Sequence, residues 1–313
     1  MSILSREADY FLTICETRNL ARAAEQLDLS QPALSRSIQR LEAHFGTKLF
    51  VRAPRGVELT PMGQALRARL DQAKLVIDDA EREVAQLAFG KAGHVRIGAG
   101  HIVARRLARH VLPRLAHDRP AARISLHVDF NAALFDLVDQ GRLDFALCGL
   151  NEPAHDLQVK ALTHTPLVVV VRKAHPLADL SEVRIDALRP YRSAAPGAAV
   201  TGRRLAEERL AAHGLTPSTA IESNDLAAIL EVVATTDMFS LAPLDWLSEP
   251  EWAQRVVGLS IKELQFAPPT GLVTRPGGFI SPLAQRAMEL VEQQFGSAAV
   301  APSKKPARRP MAG

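Results

Sequence analysis

Residues 19–41, which read NLARAAEQLDLSQPALSRSIQRL, constrain the fold of this chain more than any other stretch. They predict two short helices joined by a tight turn, because a residue able to cap a helix stands before each of two apolar-periodic runs. Asn19 precedes the first run and Ser30 the second, while Asp28 and Leu29 interrupt the pattern between them. Pro32 stands in the first turn of the second helix, where a missing N–H breaks no hydrogen bond.

The second of these helices has one apolar face and one polar face. At about 100° per residue, four apolar side chains fall on the same side; these are Leu34, Ile38, Leu41 and Phe45. The opposite side carries Pro32, Arg36, Gln39 and Arg40, with Ser35 on its flank. Guanidinium, amide and hydroxyl groups can donate to phosphates and to base edges, so this face is typical of a DNA recognition helix. An ordinary helical hairpin with a solvated polar face has the same periodicity.

A short hairpin with a basic tip follows the second helix. Residues 48–51 and 57–59 are predicted as its strands, and residues 52–56 as its turn. The segment 31–56 contains a single acid, Glu42, and five basic residues, which are Arg36, Arg40, Lys48, Arg52 and Arg55. A polar helix face followed closely by a basic wing supplies both base contacts and phosphate neutralisation, which favours DNA binding.

Residues 23–66, AAEQLDLSQPALSRSIQRLEAHFGTKLFVRAPRGVELTPMGQAL, closely resemble the N-terminal winged helix-turn-helix of LysR-type transcriptional regulators. A weaker resemblance continues through residue 295. The resemblance implies that four residues of the recognition helix approach DNA, namely Gln31, Pro32, Ser35 and Arg36, and that Arg52 of the wing touches the DNA backbone or the minor groove. The predicted DNA-binding set is completed by Gln39, Arg40 and Arg55. Ala21 departs from the Ser or Thr usual in the family, which removes the expected basis for a phosphate contact from the preceding helix.

Length and composition predict a multi-domain globular protein. The 313 residues exceed one compact core, and 47% of them are hydrophobic against 23% charged. The net charge of +4 comes from residues 297–313, a proline-containing basic tail that is predicted to be disordered. Cys15 and Cys148 stand in apolar runs and indicate small buried hydrophobes, with no disulfide or metal spacing. The sequence shows neither a signal peptide nor a membrane-spanning run, so a cytoplasmic protein without membrane contact is expected.

A single long helix is predicted from residue 61 to about residue 89. Thr60 and Pro61 form its start signal, a capping hydroxyl followed by a residue whose φ already suits a helix. Apolar residues at alternating spacings of four and three form a heptad seam, which comprises Leu66, Leu70, Ala73, Ile77, Ala80, Val84 and Leu87. At about 1.5 Å per residue the helix reaches on the order of 40 Å, long enough to pair two copies and separate two DNA-binding heads. The seam predicts a homodimer, and the family resemblance implies that a homotetramer is common.

After a flexible joint at residues 90–93, strands alternate with helices. Strands are predicted at residues 95–98, 123–128 and 143–147, and helices from residue 101 to about 115 and from 131 to 140. This order indicates a mostly parallel sheet that binds ligands at the carboxyl ends of its strands. A strand at residues 167–171 begins a second α/β lobe, with a further strand at 239–242 and two helices, 202–213 and 225–234, capped by Thr201 and Asn224. A strand at 270–274 and a helix at 282–295 return to the first lobe.

The predicted organisation is therefore multi-domain. It comprises a winged helix-turn-helix (1–60), a dimerisation helix (61–90), an α/β lobe I (94–165 with 268–296) and an α/β lobe II (166–267). Two lobes connected twice leave a cleft between them, and this arrangement resembles the effector-binding domain of the same family, itself similar to periplasmic binding proteins.

The cleft is predicted to hold a small anionic effector. Helix starts near His101, Asn131 and Thr201 would aim free backbone amides into it, and such helix ends favour an anion. The predicted effector-binding residues are Gly100, His101, Ile102, Asn131, Gly149 and Thr201. A Thr or Asn before a helix is also a common cap that binds no ligand. The expected partners are double-stranded DNA, the effector, further copies of the chain and, as a candidate, RNA polymerase.

The alternative function is a cytoplasmic dinucleotide-dependent enzyme. Gly98-x-Gly100-x-x-Val103 with Asp129 after the next strand imitates a dinucleotide-binding turn, although Val103 in the third position disfavours close helix packing over a pyrophosphate. We found no serine elbow, zinc-protease motif, P-loop or paired metal ligands, so no catalytic residue, metal or cofactor is predicted. A solute-binding protein would need an export signal, which the sequence does not show.

Overall fold

The computed structural model describes residues 6–53, 56–89, 93–151, 156–198 and 200–296. The chain forms two compact units, Met1–Val84 and Ala85–Gly313. In the first unit, α1 (Arg6–Thr17), α2 (Leu20–Gln26) and α3 (Gln31–Phe45) pack around a core that includes Phe11, Ile14 and Leu34. The predicted pair of helices, α2 and α3, is confirmed.

The predicted helix caps of this unit are also confirmed. Asn19 Oδ1 accepts hydrogen bonds from the amides of Ala21 (2.9 Å) and Arg22 (3.1 Å), and Ser30 Oγ accepts one from Ala33 N (3.3 Å). The apolar face of α3 is buried as expected, except that Phe45 is 44% exposed. The prediction for Phe45 is wrong because the last turn of α3 extends beyond the core: residues 43–46 are all exposed, and Gly46 ends the helix in a left-handed conformation (φ 63°).

The wing consists of β1 (Phe50–Ala53) and β2 (Gly56–Leu59), which pair antiparallel with Phe50 opposite Leu59. Two details of the prediction are corrected. β1 begins at Phe50 instead of residue 48, because Leu49 is bonded elsewhere: its amide to Glu42 (2.9 Å) and its carbonyl to Thr60 N (3.0 Å). Arg52 lies in β1 opposite Val57 instead of in the turn. Pro54 and Arg55 lie outside the described residues.

The long helix α4 (Pro61–Phe89) begins and ends where the sequence predicts, with Thr60 Oγ1 accepting from Gly63 N at 3.0 Å. Leu66 and Leu70 of the seam pack against the core of the first unit. Farther along, the seam side chains are exposed, and they comprise Ala73, Ile77, Ala80 and Val84. The side chain of Leu87 and residues 90–92 of the predicted joint at 90–93 lie outside the described residues.

Lobe I contains a five-stranded sheet in the order β4-β3-β5-β12-β6. Its strands are β3 (His94–Gly100), β4 (Arg123–Asp129), β5 (Phe145–Gly149), β6 (Gln158–His164) and β12 (Pro269–Thr274). The first three are mutually parallel, as predicted, and β12 runs antiparallel to both β5 and β6. β6 was not predicted, and β5 begins two residues later than expected because the amide of Leu143 still bonds the carbonyl of Leu137 at the end of the preceding helix (3.0 Å).

Helices cover both faces of this sheet: α5 (His101–His110), α6 (Leu112–Asp118), α7 (Asn131–Asp139) and α10 (Pro282–Gly296). Alternate residues of β5 face two different cores, with Phe145 in one and Ala146 in the other. The single helix predicted from residue 101 to about 115 is wrong. It breaks at Val111, because Pro113 has no N–H to donate and instead occupies the first turn of α6.

Lobe II is built on β7 (Leu167–Arg172), which pairs antiparallel with β10 (Ser240–Pro243) and β11 (Val256–Leu259). Two short parallel strands, β8 (Ser193–Ala195) and β9 (Thr219–Glu222), accompany them, with helices α8 (Thr201–Ala212) and α9 (Leu226–Thr235). Both predicted caps are displaced by one residue. Val200, which offers no side-chain bond, precedes α8 in place of Thr201, and Asp225 caps α9 in place of Asn224 by accepting from Ala227 N at 2.9 Å.

The chain crosses between the lobes twice, near residues 165 and 267. The two crossings are bonded to each other, since Leu167 N donates to Phe266 O and Thr165 N to Pro268 O, both at 3.0 Å. Among the residues that the structure describes, no helix has the length and apolar character needed to cross a membrane.

Candidate functional site

The polar face of α3 is open to solvent. Gln31, Pro32, Arg36, Gln39 and Arg40 are exposed, and Ser35 is half-buried. This arrangement matches the predicted face. Ser37, between them, is buried and accepts a hydrogen bond from the Arg40 guanidinium at 3.5 Å.

Some basic residues between 31 and 56 form ion pairs with acidic side chains, and others do not. Lys48 lies 2.6 Å from Glu42, and Arg40 lies 3.6 Å from Glu7. Within the part of the chain that the structure describes, neither Arg36 nor Arg52 has an acidic partner, and both are exposed. Among the described basic residues between 31 and 56, Arg36 and Arg52 therefore carry the charges most available to a polyanion.

Glu42, the lone acid of the segment, has a structural role. Its buried carboxylate accepts hydrogen bonds from the amides of Leu49 (2.9 Å) and Phe50 (3.4 Å) as well as from Lys48. Burial alone would raise the pKa of Glu42, but these three donors outweigh it and hold the pKa below its usual value. The carboxylate thus joins the end of the recognition helix to the start of the wing.

The other end of the wing is fixed by a close backbone approach. Val57 N donates to Arg18 O at 3.1 Å, and a Cβ built on Gly56 would lie 2.1 Å from that same oxygen. Gly56 also has φ +132°. Only glycine fits here without a shift of the backbone, so Gly56 and Arg18 set the position of the wing beside the turn that precedes α2.

Lobes I and II enclose a cavity of about 200 Å³. Five of the six predicted effector-binding residues line it, namely Gly100, His101, Ile102, Asn131 and Gly149. The side chain of the sixth, Thr201, lies outside the described residues, and its neighbours Val200 and Gly202 line the cavity. The geometry thus brings together the predicted residues of lobe I, and α8 of lobe II begins at the same cavity.

Three helices begin at this cavity without a side-chain cap. The residues before α5, α7 and α8 are Gly100, Phe130 and Val200, and none of them bonds the free amides that follow. In contrast, α2, α3 and α9 are capped by Asn19, Ser30 and Asp225. The amide donors of three helix N-termini are therefore left for a ligand or water at one place.

The rest of the wall is largely apolar and comes mostly from lobe II, through Leu167, Leu210, Leu226, Phe239 and Leu241. Sequence reasoning missed these residues because a buried Leu or Phe gives no signal that distinguishes a cavity wall from a filled core.

Arg203 also lines the cavity but is not free to bind a ligand. It donates to Glu207 (2.6 Å), Glu222 (2.5 Å) and Pro196 O (2.7 Å). Its spacing of four residues from Glu207 predicts an ion pair on a helix, not a place in a cavity. The lining formed by the described residues contains two carboxylates, those of Glu207 and Asp129, and Asp129 Oδ1 accepts a hydrogen bond from Phe130 N at 2.8 Å.

Gly98 of the dinucleotide-like turn has a packing explanation. A Cβ on Gly98 would lie 2.7 Å from Leu143 Cδ1 and 3.0 Å from Ala146 Cβ, so any larger residue there would force the neighbouring core side chains to shift. Burial raises the pKa of the Cys15 thiol to about 12, which keeps it protonated and unreactive. The described residues contain no cluster of three or more potential metal ligands.

Comparison with known proteins gives matches along nearly the whole chain. Residues 5–64 match the family described as bacterial regulatory helix-turn-helix protein, lysR family, and residues 90–296 match the LysR substrate binding domain. The SDS degradation transcriptional activation protein of a Pseudomonas strain is 33% identical over 299 residues, which cover 91% of this chain and 94% of that protein.

Two solved full-length structures have a similar fold. An OxyR variant from Pseudomonas aeruginosa matches with a TM-score of 0.62 at 23% identity, over 94% of each chain. CbnR, solved in complex with its target DNA, matches with a TM-score of 0.61 at 18% identity, over 94% of this chain and 100% of that one.

Proposed function

The chain belongs to the LysR family of transcriptional regulators, and from this premise we propose how its two units divide the work. It is a DNA-binding regulator with an effector-binding domain, not an enzyme, and the dinucleotide-dependent alternative has no support. In our proposal the first unit recognises an operator, and the cavity of the second unit binds the small molecule that modulates this recognition. As a DNA-binding regulator it would act in the cytoplasm, where the chromosome is.

The observation that carries the DNA-binding part is the pairing of an open α3 face with a wing fixed at both ends. Arg36 projects from the helix and Arg52 from the wing, each exposed and without an acidic partner in the described chain. We assign base reading to α3, with Gln31, Ser35 and Arg36 foremost, and phosphate neutralisation to Arg52. Arg40 and Lys48 would contribute less, because Glu7 and Glu42 already offset their charges.

The first experiment exposes the purified full chain to sheared genomic DNA of its host near physiological salt and sequences what is retained. Enrichment of a few loci that share an interrupted inverted repeat would support the proposal. Uniform retention, repeated in the presence of a cell metabolite extract, would refute sequence-specific recognition, because the extract supplies any effector that specific binding requires.

For the effector we propose a small molecule with an apolar body and one anionic head. The apolar wall suits the body, and the uncapped starts of α5 and α7 beside Gly100, His101 and Asn131 suit the head. A single negative charge fits better than several, because Arg203 is already bonded to two glutamates and Asp129 lies nearby. The 33% identical relative is named for the degradation of SDS, an alkyl sulfate with this same build.

Calorimetric titration with molecules that share one body tests this assignment. Octanoate and octyl sulfate should bind, whereas octanamide should bind at least about tenfold more weakly, since it lacks the charge that the helix ends favour. Binding of octylamine alone would overturn the anionic head.

We also propose that the chain is a homodimer, and in larger assemblies a homotetramer, joined through the exposed seam of α4. Its supporting observation is the row of exposed apolar side chains there, among which Ile77 is 59% exposed and Val84 64% exposed. Contact with RNA polymerase is a further proposal, which would follow if the regulator activates transcription.

A further inference from the structure

A cluster of four charged residues joins lobe I to lobe II. Arg105 and Arg109 of α5 face Glu249 and Glu251, which follow the turn at residues 244–248. Arg105 Nε lies 2.6 Å from one oxygen of Glu249, and Arg109 Nη1 lies 3.2 Å from the other. Arg105 also bonds Glu251. Two positive and two negative charges thus meet across the lobe boundary.

Each side of the cluster is anchored in the core of its own lobe. On α5, Val103 and Leu107 are buried in lobe I, and Arg105 and Arg109 lie two residues farther along, about 200° around the helix. The arginines therefore project away from the core that holds their helix. In lobe II, the carbonyl of Glu249 accepts a hydrogen bond from the amide of Trp252 (2.9 Å), whose side chain is fully buried.

Glu249 is well enclosed, since its side chain is only 10% exposed between the two guanidiniums. Arg105 also lies over the Trp246 ring at 5.4 Å from the centroid, a cation–π contact that again crosses from lobe I to lobe II. Separating the lobes would leave Glu249 and both arginines without partners until water replaced them, which opposes the separation.

Among the described residues, the other ion pairs of the second unit connect groups of the same lobe. Examples are Arg96–Asp144 and Arg286–Asp118 in lobe I, and Arg172–Asp237 and Arg255–Glu231 in lobe II. The same helix that carries the two arginines begins at the cavity, where His101, Ile102 and Val103 line it. A ligand at the start of α5 and the charge cluster along α5 therefore act on one rigid element.

We propose that Arg105, Arg109, Glu249 and Glu251 form an ionic latch that holds the two lobes closed over the cavity and sets how often the cavity opens. The latch biases an equilibrium between closed and open lobes, and an effector shifts this equilibrium only by its different affinity for the two states. Its regulatory meaning rests on the effector function proposed above. The latch itself is tested without effector or operator, so its failure would leave the proposed function intact.

The test measures how often the closed cavity opens in the full-length protein. Ala206 lines the cavity and is 4% exposed, so a thiol placed there by Ala206→Cys reacts with an aromatic disulfide reagent mainly when the lobes part. The parent chain without this substitution gives the background from the buried Cys15 and Cys148. The rate of labelling then reports the open fraction.

Glu249→Gln should raise the labelling rate on the order of tenfold, because it removes the charge that pairs with both arginines. The matched control is Glu231→Gln, which breaks an ion pair of similar geometry with Arg255 (2.8 and 2.5 Å) inside lobe II and should leave the rate unchanged. If Glu249→Gln does not fold, as judged by circular dichroism, Arg105→Gln takes its place.

Salt provides the second readout. Raising the ionic strength from about 0.05 to 0.5 M should speed labelling of the Ala206→Cys protein and have little effect once Arg105 and Arg109 are both glutamine, because screening weakens only charges that are present. Equal labelling rates for the folded latch variant and the Glu231→Gln control, or the same salt response with and without the two arginines, would overturn the latch.

Discussion

At the scale of single residues, the four described basic side chains between residues 31 and 56 are not equivalent. Lys48 is paired with the buried Glu42, and Arg40 has Glu7 at 3.6 Å, whereas Arg36 and Arg52 have no acidic partner among the described residues. A cation already paired gains less from a phosphate, since that contact first has to replace an existing one. Position on the helix face identifies candidate contacts, and the partner of each side chain ranks them.

Replacing Arg36 by alanine should lower the affinity for the specific operator by about 1 to 3 kcal/mol, with a smaller loss on random DNA, because a guanidinium on α3 reads base edges. Electrophoretic mobility shifts on both DNAs measure the difference. Arg52→Ala is the comparison. It should weaken binding to the operator and to random DNA alike, and it should reduce the slope of log affinity against log salt concentration by about one. An equal loss on both DNAs for Arg36→Ala would contradict base reading.

His175 in lobe II predicts a loss of stability in mild acid. Its buried ring accepts a hydrogen bond from Leu177 N (3.1 Å) on Nδ1 and donates from Nε2 to Asp237 O (3.2 Å), an arrangement only the neutral ring allows. Burial lowers the pKa of His175, with a smaller contribution from Arg172 against an opposing one from Asp237. The neutral form is thus favoured in the folded state, so its stabilisation is complete above about pH 6.5 and is lost as the pH falls from there through the lowered pKa.

Melting temperatures between about pH 8 and pH 5.5 test this, and the slope per pH unit cannot exceed about 1.4 kcal/mol for one group. His175→Asn should lower stability at pH 8 but flatten the acid side of the curve. His213→Asn, at an exposed position, should keep the slope of the parent protein. If the curve of stability against pH for His175→Asn runs parallel to that of the parent protein, the loss of stability in acid comes from another group.

At the scale of helices and strands, the sequence predicted the first residue of a helix correctly where a capping side chain precedes a clear apolar period, as at Asn19, Ser30 and Thr60. It failed by one residue at Asn224, because the adjacent Asp225 is an equally plausible cap, and at Thr201, because α8 begins after Val200, which has no capping side chain to mark the start. It also missed β6, β8, β9 and β11, since strands at the edge of a sheet carry little periodic signal.

The wing is the element whose position the sequence could not give. Gly56→Ala should lower the stability of the first unit by at least about 2 kcal/mol and weaken binding to all DNA, because the new methyl group would meet the carbonyl of Arg18 and displace the wing. Gly46→Ala is the control for backbone strain. Gly46 also has a positive φ (+63°), but no atom lies within 4 Å of the Cβ that alanine would add. Similar losses of DNA affinity for both variants would argue against the close contact as the cause.

At the scale of the whole molecule, the order of predicted elements was enough to place two α/β lobes after a helix-turn-helix, because alternating strands and helices admit few arrangements. The lobe I side of the cavity followed from the rule that ligands bind at the carboxyl ends of parallel strands, which placed Gly100, Asn131 and Gly149. The lobe II side did not follow, because Phe239 and Leu210 reach the cavity only through long-range packing. The charge cluster around Glu249 was equally invisible, since its members are about 140 residues apart in the chain.

The dimer proposed through the exposed seam of α4 can be tested by placing a charge in that seam. Ile77→Asp would place a carboxylate in the centre of the exposed seam, and in a dimer two copies of it would be buried against each other. The dimer dissociation constant, measured by analytical ultracentrifugation of the full chain, should rise by on the order of a hundredfold. The melting temperature of the first unit should change little, because Ile77 is 59% exposed and contributes little to the core of its own chain.

The matched control for that experiment is Gln72→Asp, which adds the same charge to α4 outside the seam, at an exposed residue that already accepts a hydrogen bond from Arg69 (3.0 Å). Its dimer should be as stable as that of the parent protein. Loss of specific DNA binding in Ile77→Asp alone would then follow from the geometry of an inverted repeat, since a single head reaches one half-site while the long helix pair holds two at a fixed spacing. An unchanged dissociation constant for Ile77→Asp would place the dimer contact elsewhere on the chain.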